Sequence, residues 1–213
     1  MKEIQGAIFD LDGVIVDTAR YHYQAWKRLA DRLGFVFTEQ QNELLKGVSR
    51  MRSLEILLEI GNVEVGPKEK EQLAAEKNAE YLRLLDDLTQ DQLLPGAKEL
   101  LERLRAKGIR IALGSASKNA PLILEKLSIS PLFDAVIDGT VISKAKPDPE
   151  VFLKAAEDLR LPASRCVVFE DAQAGIEAAR AAGCRVVAVG SSVNLKGADE
   201  YVSCLQDICD RYL

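Results

Sequence analysis

Short apolar runs alternate with amphipathic stretches over the second half of the chain. Apolar runs at 109–113, 135–137, 166–169 and 185–189 predict strands, and a weaker segment near Tyr201 follows them. Patterns of helical period separate these runs, and one more closes the chain. Strands that alternate with helices of about 10 to 15 residues indicate right-handed β-α-β units and therefore a parallel sheet.

The amino-terminal part follows a different pattern. Residues 7–9 form a short apolar run, which is typical of a strand buried on both faces. Helical patterns then cover 20–33, 38–46, 50–60 and 69–85 without a strand between them. Because a lone strand is not stable, we expect the first run to join the sheet. The sequence thus predicts an α/β core of residues 1–16 and 93–213, with an all-helical domain of residues 17–92 inserted.

Composition limits the classes of function. The chain has 213 residues, of which 47% are hydrophobic and 29% are charged, as expected of a globular protein. The formal net charge of −5 argues against nucleic acid or an anionic membrane as a partner, yet leaves a small anionic substrate open. Without an apolar run of membrane-spanning length or a signal peptide, we expect a cytoplasmic protein. We interpret the cysteines as small buried residues rather than as a disulfide or zinc site, and they are Cys166, Cys184, Cys204 and Cys209.

Acidic residues follow two of the predicted strands. Asp10 and Asp12 come directly after the first strand, and Glu170 and Asp171 follow the strand at 166–169. In an open parallel sheet, ligands bind outside the carboxyl ends of the strands, so these acids should converge. Adjacent carboxylates repel one another unless a cation or fixed donors hold them. Asp10, Glu170 and Asp171 together offer hard oxygen ligands, which suit Mg²⁺.

Anion-binding groups accompany these acids. Ser115 follows the strand at 109–113, and we expect it to open the next helix together with the amides of Ala116 and Ser117, as an anion cradle. Lys146 lies on a proline-rich loop and can neutralise phosphate charge. Taken alone, Ser115 could be a helix cap and Lys146 a solvated charge.

The convergence of these groups favours one site over several unrelated features. The chemistry that it suits is phosphoryl transfer onto a carboxylate. Asp10 would attack phosphorus, while the cation and Lys146 would offset charge on the phosphate oxygens. Asp12 would protonate the leaving oxygen and later deprotonate the acceptor.

Four motifs in this order resemble those of the haloacid dehalogenase superfamily of phosphotransferases. They are Asp10-Leu11-Asp12-Gly13-Val14, Ser115 after its strand, Lys146-Pro147 and Glu170-Asp171. The resemblance covers essentially the whole chain and places the helical insertion at the position of that superfamily's cap. It implies a Rossmann-like parallel sheet core with an inserted all-helical cap domain.

A closer resemblance is to the β-phosphoglucomutase family of that superfamily. The matching segments are 17–26, 46–54, 115–119 and 169–176, although Gly114 stands where that family has alanine. The resemblance implies interconversion of β-glucose 1-phosphate and glucose 6-phosphate through a bound 1,6-bisphosphate. It implies Mg²⁺ on Asp10, Glu170, Asp171 and the main-chain carbonyl of Asp12. The substrate contacts that it implies are Thr18, His22, Trp26, Gly47, Val48, Ser49, Arg50, Ser53, Lys77, Ala116, Ser117, Lys118 and Asn119.

Within this set the resemblance assigns separate tasks. Ser115 and Lys146 would hold the transferring phosphate, Arg50 with Ser117 and Asn119 the distal phosphate, and His22 would position Asp12. From the residues alone, Arg50 could be a surface arginine, and His22 and Trp26 could be ordinary packing residues. We expect a monomer that acts on small sugar phosphates. The alternatives are a sugar-phosphate phosphatase of the same superfamily and a non-catalytic phosphosugar-binding module.

Overall fold

A parallel sheet forms the centre of the protein, as predicted. The computed structural model describes residues 4–190 and 195–212, with side chains described no further than residue 209 in the last helix. The strands are β1 (Gly6–Phe9), β2 (Arg110–Gly114), β3 (Ala135–Ile137), β4 (Cys166–Glu170), β5 (Arg185–Val189) and β6 (Glu200–Val202). All strand pairs in the described sheet are parallel, and the strand order is β3-β2-β1-β4-β5-β6.

The helices lie close to their predicted positions. One difference is at 38–46, where a four-residue helix is followed by a 3-10 turn, Glu43–Leu45. Thr38 caps this short helix with a reciprocal capping box to Gln41. The helices are α1 (Ala19–Leu33), α2 (Glu39–Asn42), α3 (Arg50–Gly61), α4 (Pro67–Leu84), α5 (Ala97–Ala106), α6 (Ala120–Lys126), α7 (Glu150–Asp158), α8 (Gln173–Ala181) and α9 (Gln206–Tyr212). No helix in the described part of the chain is both long and apolar enough to cross a membrane.

Helices cover both faces of the sheet, because successive strand residues point in opposite directions. Ala7 and Phe9 of β1 belong to an apolar cluster that includes residues of α5, α6 and α9. Ile8, between them, belongs to a second cluster with residues of α7 and α8. This arrangement explains why the central strands read as continuous apolar runs rather than as alternating ones.

The inserted helices have an apolar cluster of their own. It includes Trp26, Phe37, Leu54, Leu57 and Leu73, and all its buried members lie between residues 26 and 74. The chain enters and leaves the insertion through two segments that lie side by side, since the amide of Leu94 donates to the carbonyl of Ile15 over 2.9 Å. The helical unit therefore has a core of its own, while Tyr21, Ala25 and Tyr81 of α1 and α4 pack in the cluster of the sheet.

Substitutions in the apolar cluster of the inserted helices should lower the stability of the protein. Leu57 is fully buried in this cluster, whereas Leu44 is 60% exposed. We expect Leu57→Ala to lower the free energy of unfolding by about 2 to 5 kcal/mol, because it leaves a cavity in a packed core. Leu44→Ala, the matched control, should change it by less than about 0.5 kcal/mol. Urea denaturation followed by circular dichroism measures both, and equal losses would contradict the assignment of this core.

Candidate active site

The strand order brings the predicted polar endings together. β1 lies between β2 and β4, so Asp10 lies between Ser115 on one side and Glu170 on the other. Carboxylate oxygens of Asp10, Glu170 and Asp171 lie within 4.8 Å of one another. A cavity of about 520 Å³ opens above this edge of the sheet and is enclosed on its other side by the inserted helices. The expected convergence at the carboxyl ends of the strands is confirmed.

A buried ion pair lies at the base of the cavity. The Lys146 ammonium is 2.5 Å from Asp10 Oδ1 and 3.4 Å from Glu170 Oε2. All three residues are buried. Burial opposes the charge on Lys146, but Asp10 and Glu170 more than offset it, so the pKa of Lys146 lies above its ordinary value. Lys146 is therefore a fixed positive charge beside Asp10, and not a solvated loop lysine.

Two glycines leave room for the other acids. A Cβ on Gly175, in the first turn of α8, would lie 1.7 Å from Glu170 Oε1. A Cβ on Gly13, which has a φ of +82°, would lie 2.1 Å from Asp171 Oδ2. Burial and the neighbouring Asp10 raise the pKa of Glu170 well above its ordinary value, and the same causes raise the pKa of Asp171 to about 7. The acids are thus held close together at an electrostatic cost that a divalent cation would relieve.

Asp12 faces the cavity without a hydrogen-bond partner. Its Oδ1 atom is buried, and no described residue hydrogen-bonds to it. Burial, followed by the charges of Asp10 and Asp171, raises the pKa of Asp12 to about 8. At neutral pH its protonated form is therefore favoured. A proton-bearing carboxyl group directed into a cavity is suited to general acid catalysis.

A histidine and a lysine of the inserted helices lie next to Asp12. His22 Nε2 is 3.9 Å from Asp12 Oδ1, and Lys77 Nζ lies 2.8 Å from His22 Nδ1. Tyr81 stacks on the His22 ring with centroids 4.0 Å apart, and the Lys77 ammonium lies 4.4 Å from the centroid of Trp26. When Lys77 donates to Nδ1, the ring proton lies on Nε2, which faces Asp12.

The pKa values of His22 and Lys77 are both lowered, which disfavours the positively charged form of each side chain. Burial and then the Lys77 charge lower the pKa of His22 well below its ordinary value. Burial and then Arg50 lower the pKa of Lys77 to about 7. His22 is therefore neutral and can donate a hydrogen bond from Nε2 to the Asp12 carboxylate when that carboxylate is ionised.

The segment after β2 is a turn rather than the start of a helix. We expected the amides of Ala116 and Ser117 to open the next helix, and this is wrong, because α6 begins only at Ala120. Instead the amide of Ser117 donates to Ser115 Oγ over 3.1 Å, and the amide of Asn119 donates to Ser117 Oγ over 3.2 Å. Each serine oxygen thus accepts from the backbone, and its own hydroxyl proton is free for another acceptor.

The inserted helices contribute a loop to the cavity wall. Gly47 has a φ of +72°, and a Cβ there would lie 3.2 Å from the Cβ of Ala172 in the core. Ser49 caps α3 by accepting from the amide of Arg52 over 3.3 Å. Arg50 is half-buried next to this cap, and burial lowers the pKa of its guanidinium. The loop therefore packs closely against the core at Gly47, and its Arg50 lines the cavity.

Most of the predicted site residues line this cavity, with three exceptions. Thr18 is fully buried and lies outside the lining, while Lys146 and Glu170 lie beneath the floor. Those that line it are Asp10, Asp12, His22, Trp26, Gly47, Val48, Ser49, Arg50, Ser53, Lys77, Ser115, Ala116, Ser117, Lys118, Asn119 and Asp171.

Sequence reasoning assigned no site task to several polar neighbours. Lys46 lines the cavity with its ammonium 4.0 Å from Asp171 Oδ2. Asn78 of α4 accepts a hydrogen bond from Asn119, and Lys144 lines the cavity from the core. Lys46 stood within the matching 46–54 segment, so that segment offered a signal for it. Asn78 stood in an ordinary amphipathic helix and offered none.

Comparison with known proteins identifies the family. The family model described as haloacid dehalogenase-like hydrolase matches residues 4–183. The chain belongs to this family. It is 44% identical to beta-phosphoglucomutase of Bacillus subtilis (strain 168) over 207 residues, covering 96% of this chain and 92% of that protein. It is 31% identical to a phosphorylated carbohydrates phosphatase of Thermotoga maritima, covering 90% of this chain and 88% of that protein.

A solved structure of a haloacid dehalogenase-like protein shares this architecture. The crystal structure of beta-phosphoglucomutase from Clostridium difficile superposes with a TM-score of 0.93 at 43% sequence identity, covering 96% of this chain and 93% of that chain. The fold prediction of a parallel sheet core with inserted helices is confirmed. The family implies a divalent metal, and the cluster of Asp10, Glu170 and Asp171 fits one, because close-set, mutually repelling carboxylates are suitable hard oxygen ligands.

The space around Glu170 generates a metal-binding prediction. Gly175→Ala would place a methyl group where the Glu170 carboxylate lies, so the carboxylate must move. We expect the affinity for Mg²⁺ to fall about 10- to 100-fold, as for other changes that displace a metal ligand. Gly66→Ala is the matched control, since Gly66 has a φ of −73° and a Cβ there meets nothing within 4 Å. Isothermal titration of the metal-free proteins measures both, and unchanged affinity in Gly175→Ala would contradict the assigned cluster.

The raised pKa of Asp12 generates a pH prediction. Its carboxyl group has a pKa of about 8 in the folded protein against 3.8 ordinarily, so folding favours the protonated form and stability falls as pH rises between these values. Asparagine cannot ionise, so in metal-free protein Asp12→Asn should raise the melting temperature more at about pH 8 than at about pH 5, by at least about 2 °C. Exposed Asp158→Asn serves as the control. A gain that is the same at both pH values would exclude a raised pKa.

Proposed function

We propose that the protein is a β-phosphoglucomutase, which interconverts β-glucose 1-phosphate and glucose 6-phosphate through an aspartyl phosphate and bound β-glucose 1,6-bisphosphate. The observation that supports the proposal is one cavity lined by two groups of side chains, from which we infer two phosphate sites. Asp10 and Ser115 lie at the floor, and Arg50 from the inserted helices lines the same cavity as Ser117 and Asn119. A mutase needs both sites, because it must bind its substrate in either of two orientations. The 44% identity to the beta-phosphoglucomutase of Bacillus subtilis supports this choice.

Asp10 is the proposed nucleophile. Its Oδ1 lies 2.5 Å from the Lys146 ammonium, and this contact fixes the orientation of the carboxylate at the base of the cavity. Lys146 and the free hydroxyl proton of Ser115 would bind the transferring phosphoryl group. We propose Mg²⁺ on Asp10, Glu170, Asp171 and the main-chain carbonyl of Asp12, where the cation would offset charge on the phosphoryl oxygens.

Asp12 is the proposed acid and base. In its favoured protonated form it donates to the oxygen that leaves phosphorus, and the resulting carboxylate later removes the proton from the attacking sugar hydroxyl. His22 Nε2, now 3.9 Å from Asp12 Oδ1, would move closer and donate to the Asp12 carboxylate in that second state, with Lys77 donating to Nδ1. Because His22 and Lys77 belong to the inserted helices, the acid and base would be complete only with those helices packed on the core.

Residues 17–92 are proposed to act as a cap domain that opens and closes over the cavity. Their own apolar core would let them move as one body about the adjoining segments near Ile15 and Leu94, and closure would pack Tyr21 and Tyr81 against the cluster of the sheet. Closure would exclude water from the aspartyl phosphate and so favour transfer to a sugar hydroxyl. The cationic side chains that line the cavity within the described residues suit an anionic sugar phosphate, and they are Lys46, Arg50, Lys77, Lys118 and Lys144.

The second candidate is a sugar-phosphate phosphatase of the same family. The 31% identity to the phosphorylated carbohydrates phosphatase of Thermotoga maritima favours it, and the nucleophile and metal cluster would be shared. The two candidates differ in the acceptor, which is water in a phosphatase and a sugar hydroxyl in a mutase. The distal anion site around Arg50 favours the mutase.

Product analysis tests the proposed function. Incubated with β-glucose 1-phosphate, Mg²⁺ and a trace of the bisphosphate, the protein should form glucose 6-phosphate, whereas α-glucose 1-phosphate should give little. Asp10→Asn should reduce turnover by at least about 10³-fold, since an amide cannot become phosphorylated. Phosphorus NMR follows both products, and exposed Asp158→Asn should keep full activity. Prompt release of inorganic phosphate without glucose 6-phosphate would overturn the mutase in favour of the phosphatase.

A further inference from the structure

Asn119 makes an unexpected hydrogen bond for a residue at its position. It is the N-cap of α6, where an asparagine side chain usually accepts from an amide of the first turn, yet it makes no capping bond. Its side chain turns instead to the inserted helices, and Nδ2 donates to Asn78 Oδ1 of α4 over 2.9 Å. The Asn119 side chain therefore hydrogen-bonds to a residue that lies 41 positions away in the chain, and not to the first turn of its own helix.

The Asn78–Asn119 bond is the last of three successive hydrogen bonds that fix the conformation of the turn after β2. Ser115 Oγ accepts from the Ser117 amide, and Ser117 Oγ accepts from the Asn119 amide. An asparagine side chain has two N–H donors, and Asn78 uses one of those on Asn119. With its carbonyl oxygen fixed as the acceptor, Asn78 turns the Asn119 amide so that its second N–H remains free for an anion in the cavity, which Asn119 lines.

The location of Asn78 links two parts of the site. Its neighbour in the chain, Lys77, contacts His22 beside Asp12. Two consecutive residues of α4 therefore reach the acid/base group and the proposed distal phosphate site. Because α4 belongs to the inserted helices and Asn119 to the core, the Asn78–Asn119 bond forms only when the two bodies are in contact.

We propose that Asn78 is a positioning residue for the distal phosphate site. It orients the Asn119 amide toward the phosphate that is not being transferred, and it joins cap closure to occupancy of that site. This inference rests on the proposed function, and it deepens that function by assigning a residue outside the cavity wall to substrate phosphate binding.

A double-mutant cycle tests this proposal. Asn78→Ala should raise KM for β-glucose 1-phosphate about 2- to 10-fold, the range expected for loss of one hydrogen bond, with a smaller change in kcat. In the Asn119→Ala background the same substitution should have no further effect, because Asn78 acts through Asn119. Alanine favours helix, so Asn78→Ala should fold. Gln72→Ala, which removes an exposed amide of the same helix, is the control and should leave KM unchanged.

Equilibrium binding makes the test independent of turnover. Affinity for glucose 6-phosphate, followed through the fluorescence of Trp26 in the cavity wall, should show the same cycle. If the wild-type protein fails to isomerise β-glucose 1-phosphate, the proposed function is wrong. The effect of Asn78→Ala on glucose 6-phosphate affinity can still be measured in that case. Equal and additive losses from Asn78→Ala and Asn119→Ala, or no loss from Asn78→Ala, would overturn the proposal.

Discussion

The contact between Lys146 and Asp10 is the interaction on which the rest of the site depends. Burial of carboxylates in a group is unfavourable unless positive charge lies among them. The ammonium of Lys146, 2.5 Å from Asp10 and 3.4 Å from Glu170, supplies that charge from within the protein. Burial nevertheless outweighs its charge at Asp171 and Asp12, which keep raised pKa values of about 7 and about 8. The fixed cation is thus paired with Asp10, whereas Asp12 lies apart from it with a raised pKa that favours its protonated form.

The parallel sheet could be predicted because each of its central strands is marked by a short apolar run in the sequence. Strands buried on both faces give unbroken apolar runs, and parallel pairing requires their carboxyl ends to share an edge, so Asp10, Ser115 and Glu170 could be expected to meet. The family motifs added the cavity residues of the inserted helices. Placement of these residues agrees with the expectation for His22, Arg50 and their neighbours, while their chemical tasks remain proposals.

What the sequence did not reveal depends on contacts between distant segments. Asn78 carries no motif, and only the approach of α4 to the turn after β2 gives it a partner. The amides of Ala116 and Ser117 do not open α6 as expected, because Ser115 and Ser117 accept from backbone amides two residues ahead and hold the chain in a turn before the helix. Thr18 matched the family pattern by sequence alone, but the packing of α1 buries it away from the cavity.

The side-by-side linkers have an evolutionary consequence. Because the amide of Leu94 bonds to the carbonyl of Ile15, the points where the chain departs from the sheet and returns to it are about one strand spacing apart. A short turn could join them, and the sheet with its acids and Lys146 would retain an unbroken topology. Under the proposed function, the helices that line the cavity could therefore be exchanged for others that bind a different substrate, while the sheet keeps its acids and Lys146.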